Sequence, residues 1–341
     1  MLYYIRKTGK VKLQSDYSQV IERLDIKMSD IWSRVMILDG GMGTELTRCG
    51  AKDVLHHCLW SAIVNINEPE IVVQAHTNFI DAGADIILAN SYKTNVPMLV
   101  DALGFTEDEA IEAMKKTIDL AFEATGKGGE TLIAGTIGPF MGIPIVPMSV
   151  YHPNQYTSKV TVAELIEWHE PRFKLFYESQ CHLLAIETIP NTKEIEALMH
   201  LLAKYPKQAY LSLACSFHQA DCLNSDEPIA DALEMIKRIK PPALRGIGVN
   251  CTKPQFIASF GKLAKSILPE LTLIAYPNSG EEWHTASNSE WNGSDGEWVG
   301  KRRDLGDYVA EWRKIGFQWI GGCCRVTPDE LHQLGPLLKK T

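Results

Sequence analysis

The stretch HLLAIETIPNTKEIEALMHLLAKYPKQAYLSLAC, residues 182–215, decides the fold. His182 to Glu187 is a short, continuous apolar run, the pattern of a strand buried on both faces of a parallel sheet. Thr192 to Lys204 then carries apolar residues at helical spacing, and Ala209 to Cys215 is a second apolar run. This strand–helix–strand unit repeats in both directions. Upstream, Val35 to Asp39 ends in Gly40-Gly41, the helical segment Glu68 to Gly83 precedes the run Asp85 to Asn90, and the helix Glu107 to Ala124 precedes Thr131 to Thr136. A helix around Val162 to Gln180 leads into His182. Downstream, the helices Ile229 to Ile239, Gln255 to Ile267 and Leu305 to Ile315 precede the strands Arg245 to Asn250, Leu271 to Tyr276 and Phe317 to Gly321. A last helix starts at Thr327-Pro328-Asp329-Glu330, with a capping hydroxyl, proline at the first position and acids in the first turn. Eight such units predict an α/β fold, a single-domain (β/α)8 TIM barrel. An open doubly wound sheet is the alternative, but no GxGxxG follows the first strand.

Composition narrows the function. Of 341 residues, 45% are hydrophobic and 22% charged, with a formal net charge of -8, and no basic stripe marks a nucleic-acid partner. No apolar run approaches the roughly 20 residues that span a bilayer, so no membrane is expected. Met1 to Lys27 lacks the apolar core of a secretory signal, which points to the cytoplasm. The eight cysteines are then expected as reduced thiols or metal ligands rather than disulfides. Two segments depart from the rhythm. Residues 1–33 form an N-terminal extension ahead of a barrel at 34–341, with Met28 an alternative start. Glu281 to Arg303, rich in Gly, Ser, Asn and Trp, follows the seventh strand without periodicity, as a binding loop or a tolerated insertion does.

The unusual residues cluster at strand ends. Asp39, Asn90, Gly138-Pro139, Glu187, Asn250-Cys251, Pro277-Asn278 and Cys323-Cys324 each follow an apolar core, and barrel strands converge there on the face that carries the active site. Cys251 ends the sixth strand, and Cys323 and Cys324 follow two glycines after the eighth. Adjacent cysteines bridge each other poorly, given the geometry a disulfide needs. From spacing alone these are either buried apolar cysteines or three ligands of one ion. Three thiolates suit zinc with an open fourth position, the mark of a catalytic site. Such zinc is electron-rich and poor at activating water. Its task is to bind a fourth sulfur, stripping the proton from a thiol whose free pKa is roughly 8.5. The thiolate can attack a methyl group on a good leaving group such as a sulfonium.

Five motifs in order carry a resemblance: Asp39-Gly-Gly-Met-Gly-Thr-Glu45, Ala89-Asn-Ser-Tyr-Lys-Thr-Asn95, Glu187-Thr-Ile-Pro190, Gly248-Val-Asn-Cys251 and Gly321-Gly-Cys-Cys324. From Val35 to Leu338 the chain resembles the homocysteine S-methyltransferase family, which includes betaine–homocysteine methyltransferase and the homocysteine module of cobalamin-dependent methionine synthase. The resemblance implies a (β/α)8 barrel, Zn2+ on Cys251, Cys323 and Cys324 at the C-terminal face of the strands, and methylation of homocysteine to methionine. It also implies that Asp39 and Glu187 hold the homocysteine amino group, as a carboxylate suits an ammonium. The Gly40-Gly41 backbone N–H groups are expected near the amino-acid carboxylate. Asn278 resembles a position that fills the fourth zinc site before substrate arrives.

The segment Tyr276-Pro-Asn-Ser-Gly-Glu281, with the tryptophan-bearing loop behind it, looks like the branch that uses S-methylmethionine and sometimes S-adenosylmethionine. A sulfonium cation favours aromatic faces. Trp60, Tyr92, Phe140 and Trp283 lie where they can supply them, and Trp60 sits in a segment similar to the family's donor tryptophan. Betaine is a cation too, so aromatics do not choose the donor. Selenohomocysteine or selenocysteine are alternative acceptors. Two other classes remain as readings: a non-catalytic zinc-binding protein, and a lyase or hydrolase using Asp39 and Glu187 as an acid–base pair. The partners expected are small-molecule substrates.

Overall fold

In the computed structural model, which describes residues 28, 30–52, 54, 57–126, 129–140, 159–216, 219–285 and 296–339, the eight apolar runs pair side by side and all parallel. They are β1 (Met36–Ile37), β2 (Ile86–Leu88), β3 (Leu132–Ile137), β4 (Leu183–Ile189), β5 (Ala209–Leu213), β6 (Leu244–Asn250), β7 (Thr272–Tyr276) and, last in the chain, β10 (Phe317–Ile320). Their order is β1-β10-β7-β6-β5-β4-β3-β2. The two ends meet through a parallel bridge between Leu38 and Ile86, which closes the barrel. At this seam two carboxylates extend a short ladder. Asp85 Oδ2 accepts the Ile37 N–H at 2.8 Å, and Asp39 Oδ2 accepts the Leu88 N–H at 2.8 Å.

Both faces of the sheet are dry, which is why the strands read as continuous apolar runs. Successive side chains alternate between two cores. Leu183 and Ala185 join Tyr210, Ile274, Tyr276 and Trp319 inside the barrel. Leu184 and Ile186 join the layer between strands and helices. That outer layer is covered by α1 (Met42–Arg48), α2 (Val64–Asn67), α3 (Pro69–Asp81), α4 (Val96–Leu103), α5 (Glu107–Thr125), α6 (Val162–Glu178), α7 (Thr192–Lys204), α8 (Ile229–Ile239), α9 (Ile257–Ile267), α10 (Gly306–Ile315) and α11 (Pro328–Lys339). Their starts are written in the sequence: Thr106 with Glu109 and Thr161 with Glu164 form reciprocal capping boxes. At α11 the Glu330 carboxylate accepts the Thr327 N–H at 2.9 Å. No helix among the described residues is long and apolar enough to cross a membrane.

Two expectations need correction. Residues 30–33, expected as part of an N-terminal extension, pack with the barrel: Ile31 and Trp32 are buried in its floor. Trp32 stacks on Trp319 with ring centroids 4.4 Å apart and donates its indole N–H to Gln208 Oε1 at 2.6 Å. Gly246 makes room for it, since a Cβ there would lie 3.1 Å from the Trp32 ring. The segment after β7 is not shapeless either. Its described parts pair as an antiparallel hairpin, β8 (Glu282–Thr285) with β9 (Gly296–Val299). The rest of that segment, like Met1 to Lys27, lies outside the described residues.

Candidate functional site

Two segments deliver three sulfurs to the C-terminal end of the barrel. β6 runs out at Asn250, and Cys251 turns away at φ 49, its N–H donated to Tyr276 O at 3.3 Å. After β10, Gly321 lies flush against β1, where a Cβ would sit 2.6 Å from the Leu38 Cβ. Gly322 N–H then bonds Asp39 O at 2.9 Å and Cys323 N–H bonds Pro277 O at 2.7 Å, which pins the paired cysteines between β1 and β7. The Sγ atoms of Cys251, Cys323 and Cys324 all lie within 4.8 Å of one another. Cys324 Sγ is 3.9 Å from each of the other two, and Cys251 and Cys323 are joined as a disulfide, which corrects the expectation that every cysteine is a reduced thiol or a metal ligand. Sulfur ligands at about 2.3 Å on a tetrahedral ion lie about 3.8 Å apart, so the 3.9 Å separations suit a shared metal. Metal ligation uses all three as thiolates, so this donor set holds a metal only once the Cys251–Cys323 bond is reduced. Without a cation the thiolate state is costly: burial pushes the Cys324 thiol up to about 11, and Glu187 adds to the rise.

Beside the sulfurs stand two buried acids. Asp39 is 4% and Glu187 8% exposed. Burial raises the Glu187 carboxyl to about 8, with Tyr276 opposing the shift. Burial also raises Asp39 well above the usual range, the Leu88 N–H opposes it, and the Glu187 charge adds to it. Among the described residues no lysine or arginine bears on either group. Two carboxyls desolvated together without a cation form a site for an incoming one. Glu187 is followed by Thr188 at φ 62, a left-handed conformation that costs a β-branched residue about 1–3 kcal/mol.

Trp60 and Tyr92 also meet, edge to face, with centroids 6.4 Å apart. Each ring lies on a glycine. A Cβ at Gly43 would come within 2.8 Å of the Trp60 ring, and one at Gly138 within 2.7 Å of the Tyr92 ring. Phe140 does not join them; it packs edge-on against Trp168 at 4.9 Å. Trp283 faces Trp298 in the hairpin register, and its side chain lies outside the described part of the structure.

Behind this aromatic wall is a polar network that sequence reading missed. Arg172 donates to Tyr92 O at 3.3 Å, to Gly138 O at 2.8 Å and to His169 Nδ1 at 2.9 Å. His169 Nε2 meets Glu194 Oε1 at 2.8 Å, and the same oxygen accepts the Phe140 N–H at 2.5 Å. Burial lowers His169 to about 4, so the ring is neutral, accepting from Arg172 and donating to Glu194. His169 and Arg172 stand three apart on α6, a spacing that placed them on one face and was the available signal.

The surroundings of Gly40, Gly41 and Asn278 bear on the roles expected of them. The Gly41 N–H is donated to Val326 O at 2.9 Å, so it is already committed and does not wait for a carboxylate. Gly40 and Gly41 also permit close approach to the cysteine loop, since a Cβ would sit 2.6 Å from Val326 O or 2.7 Å from Cys323 O. Asn278 is buried between the two cysteine segments, with its N–H on Thr252 O at 3.3 Å. Its Oδ1 accepts the Gly280 N–H at 2.9 Å, which leaves that oxygen its second lone pair.

Comparison with known proteins bears on what this arrangement does. A family model described as homocysteine S-methyltransferase matches residues 36–338. The chain is 32% identical to homocysteine S-methyltransferase YbgG of Bacillus subtilis, covering 88% of this chain and 93% of that one. It is 31% identical to betaine-homocysteine S-methyltransferase of Drosophila melanogaster, over 87% and 92%. The metallated form of homocysteine methyltransferase MmuM from Escherichia coli superposes with a TM-score of 0.73 at 28% identity, over 89% of this chain and 96% of that one.

Proposed function

The chain belongs to the homocysteine S-methyltransferase family, and from that premise we propose that it moves a methyl group from S-methylmethionine to the thiol of L-homocysteine on a zinc site. The observation that carries this reading is the convergence of Cys251, Cys323 and Cys324 beside two buried carboxyls. Zinc held by these three cysteines supplies the charge that keeps a bound thiol ionised at neutral pH. Asp39 and Glu187 take the ammonium of homocysteine and so aim its side chain at the sulfur cluster. Trp60 and Tyr92 face the donor's sulfonium, each contact contributing about 0.5–2 kcal/mol. The donor leaves as methionine and the acceptor becomes methionine, so each turnover gives two.

The motif Tyr276-Pro-Asn-Ser-Gly280 supports the sulfonium donor, whereas the Drosophila relative is named for betaine. A donor panel decides between them: homocysteine with S-methylmethionine, S-adenosylmethionine or betaine, scored by methionine formed. S-methylmethionine is expected to be fastest, with activity lost on chelation and restored by zinc. Cys323→Ala is expected to lose bound zinc and activity together while the fold remains. Turnover by fully metal-free protein rejects the thiolate mechanism, and turnover with betaine alone rejects the donor assignment.

A further inference from the structure

Glu187 stands on a bulge. The pairing of β4 with β5 shifts register between Ile186 and Ile189, and Thr188, between them, is left-handed. Bulges re-aim a side chain at a strand end. One residue holds this one in place. Asn250, 1% exposed, accepts the Thr188 N–H on Oδ1 at 2.9 Å and returns its own Nδ2–H to Thr188 Oγ1 at 2.7 Å. The buried Ser212 hydroxyl, on the intervening strand, donates to the same Oδ1 at 2.8 Å. Asn250 is also the residue before Cys251, and its own carbonyl accepts the Thr252 hydroxyl at 3.1 Å. A single side chain therefore ties the backbone next to the carboxylate to the backbone next to a sulfur. Both tied positions, Thr188 at φ 62 and Cys251 at φ 49, are conformations a free chain would leave.

We propose that Asn250 is a positioning residue that sets the span between the Glu187 carboxylate and the cysteine cluster, and so selects an acceptor whose amino group and thiol are separated as in homocysteine. It touches neither substrate. It acts through Thr188 on one side and Cys251 on the other. The proposal rests on the reading that Asp39 and Glu187 take the ammonium, and the test separates the two. Zinc-loaded full-length protein is titrated calorimetrically with homocysteine and with 4-mercaptobutyrate, which keeps the thiol and carboxylate and lacks the amine. Metal content is measured alongside. Wild type is expected to prefer homocysteine. Asn250→Ala and Thr188→Val are expected to keep the full zinc complement, bind 4-mercaptobutyrate as wild type does, and lose about tenfold in homocysteine affinity, the size of one buried hydrogen bond lost. Thr188→Ser, which keeps the Oγ acceptor, is expected to behave as wild type. If Asn250→Ala fails to fold, the Thr188→Val and Thr188→Ser pair decides. Equal losses for both thiols, loss of zinc together with affinity, or identical behaviour of the two Thr188 variants overturns the proposal. A wild type that binds both thiols equally overturns the ammonium reading beneath it.

Discussion

Glu187 is ionised with difficulty in the ligand-free barrel, because burial raises its carboxyl to about 8. The sign of the consequence follows from proton counts. Between the ordinary carboxyl value of 4.5 and about 8 the folded state holds a proton that the unfolded state has released. Stability of the ligand-free, metal-free protein therefore falls as pH rises through that window. Glu187→Gln stays neutral and escapes this fall. Urea unfolding at several pH values should show the variant gaining on wild type as pH rises, and a constant difference would refute the shift. The same variant should raise the KM for homocysteine by about tenfold, since a charge-assisted contact becomes a neutral one. At this scale the sequence was informative where residue type was unusual for its place. Acids and thiols after apolar strand cores stood out as Asp39, Glu187 and the three cysteines. Arg172, His169 and Glu194 did not, because polar residues on amphipathic helices read as a solvated face, and only the folded chain shows that this face looks inward.

Among the elements, the 30–33 turn has the clearest energetic role. Trp32 fills the barrel floor between Trp319 and Gly246. Trp32→Ala is expected to cost about 3–5 kcal/mol by urea unfolding, as large-to-small changes at packed aromatic sites do. A change under about 1 kcal/mol would mean that the turn rests on the barrel without supporting it. The sequence located all eight barrel strands and the long helices, because each buries a wide apolar stripe. It missed α1, α2 and α4, which are too short for periodicity to show. For α4 the end signals were present: Asn95 caps it through the Met98 N–H at 3.0 Å, and Gly104 closes it at φ 67. The hairpin was hidden because Glu282–Thr285 and Gly296–Val299 carry little apolar alternation to read. Its base is tied back to the cysteine loop, where Glu281 Oε2 accepts from Arg325 Nε at 2.8 Å and from the Ser279 hydroxyl at 2.8 Å.

For the whole molecule, three histidines among the described residues, His76 and His169 buried and His182 half-buried, set the acid limit. Burial lowers His76 to about 3 and His169 and His182 to about 4. Each stays neutral in the fold while the unfolded chain takes up a proton below its ordinary value of 6.5. Their contribution is present above that pH and lost as pH falls toward 4. With Glu187 acting in the opposite direction, the ligand-free protein should be most stable near pH 6–7. His76→Met should flatten the acid side of the stability profile, and an unchanged slope would remove His76 from this account. Barrel closure was legible only as a count of eight units. The seam that completes it depends on side chains, Asp85 and Asp39, standing in for backbone acceptors, and no apolar pattern encodes that.

Asp39 therefore has a second occupation. The oxygen that accepts the Leu88 N–H belongs to a carboxyl proposed to meet an ammonium. An ammonium arriving there holds the carboxylate ionised, and an ionised acceptor grips an amide more firmly than a protonated one. Deuterium uptake at Leu88 should slow when homocysteine is added to the zinc-loaded protein, making that backbone proton a built-in gauge of occupancy at the junction of the first and second strands.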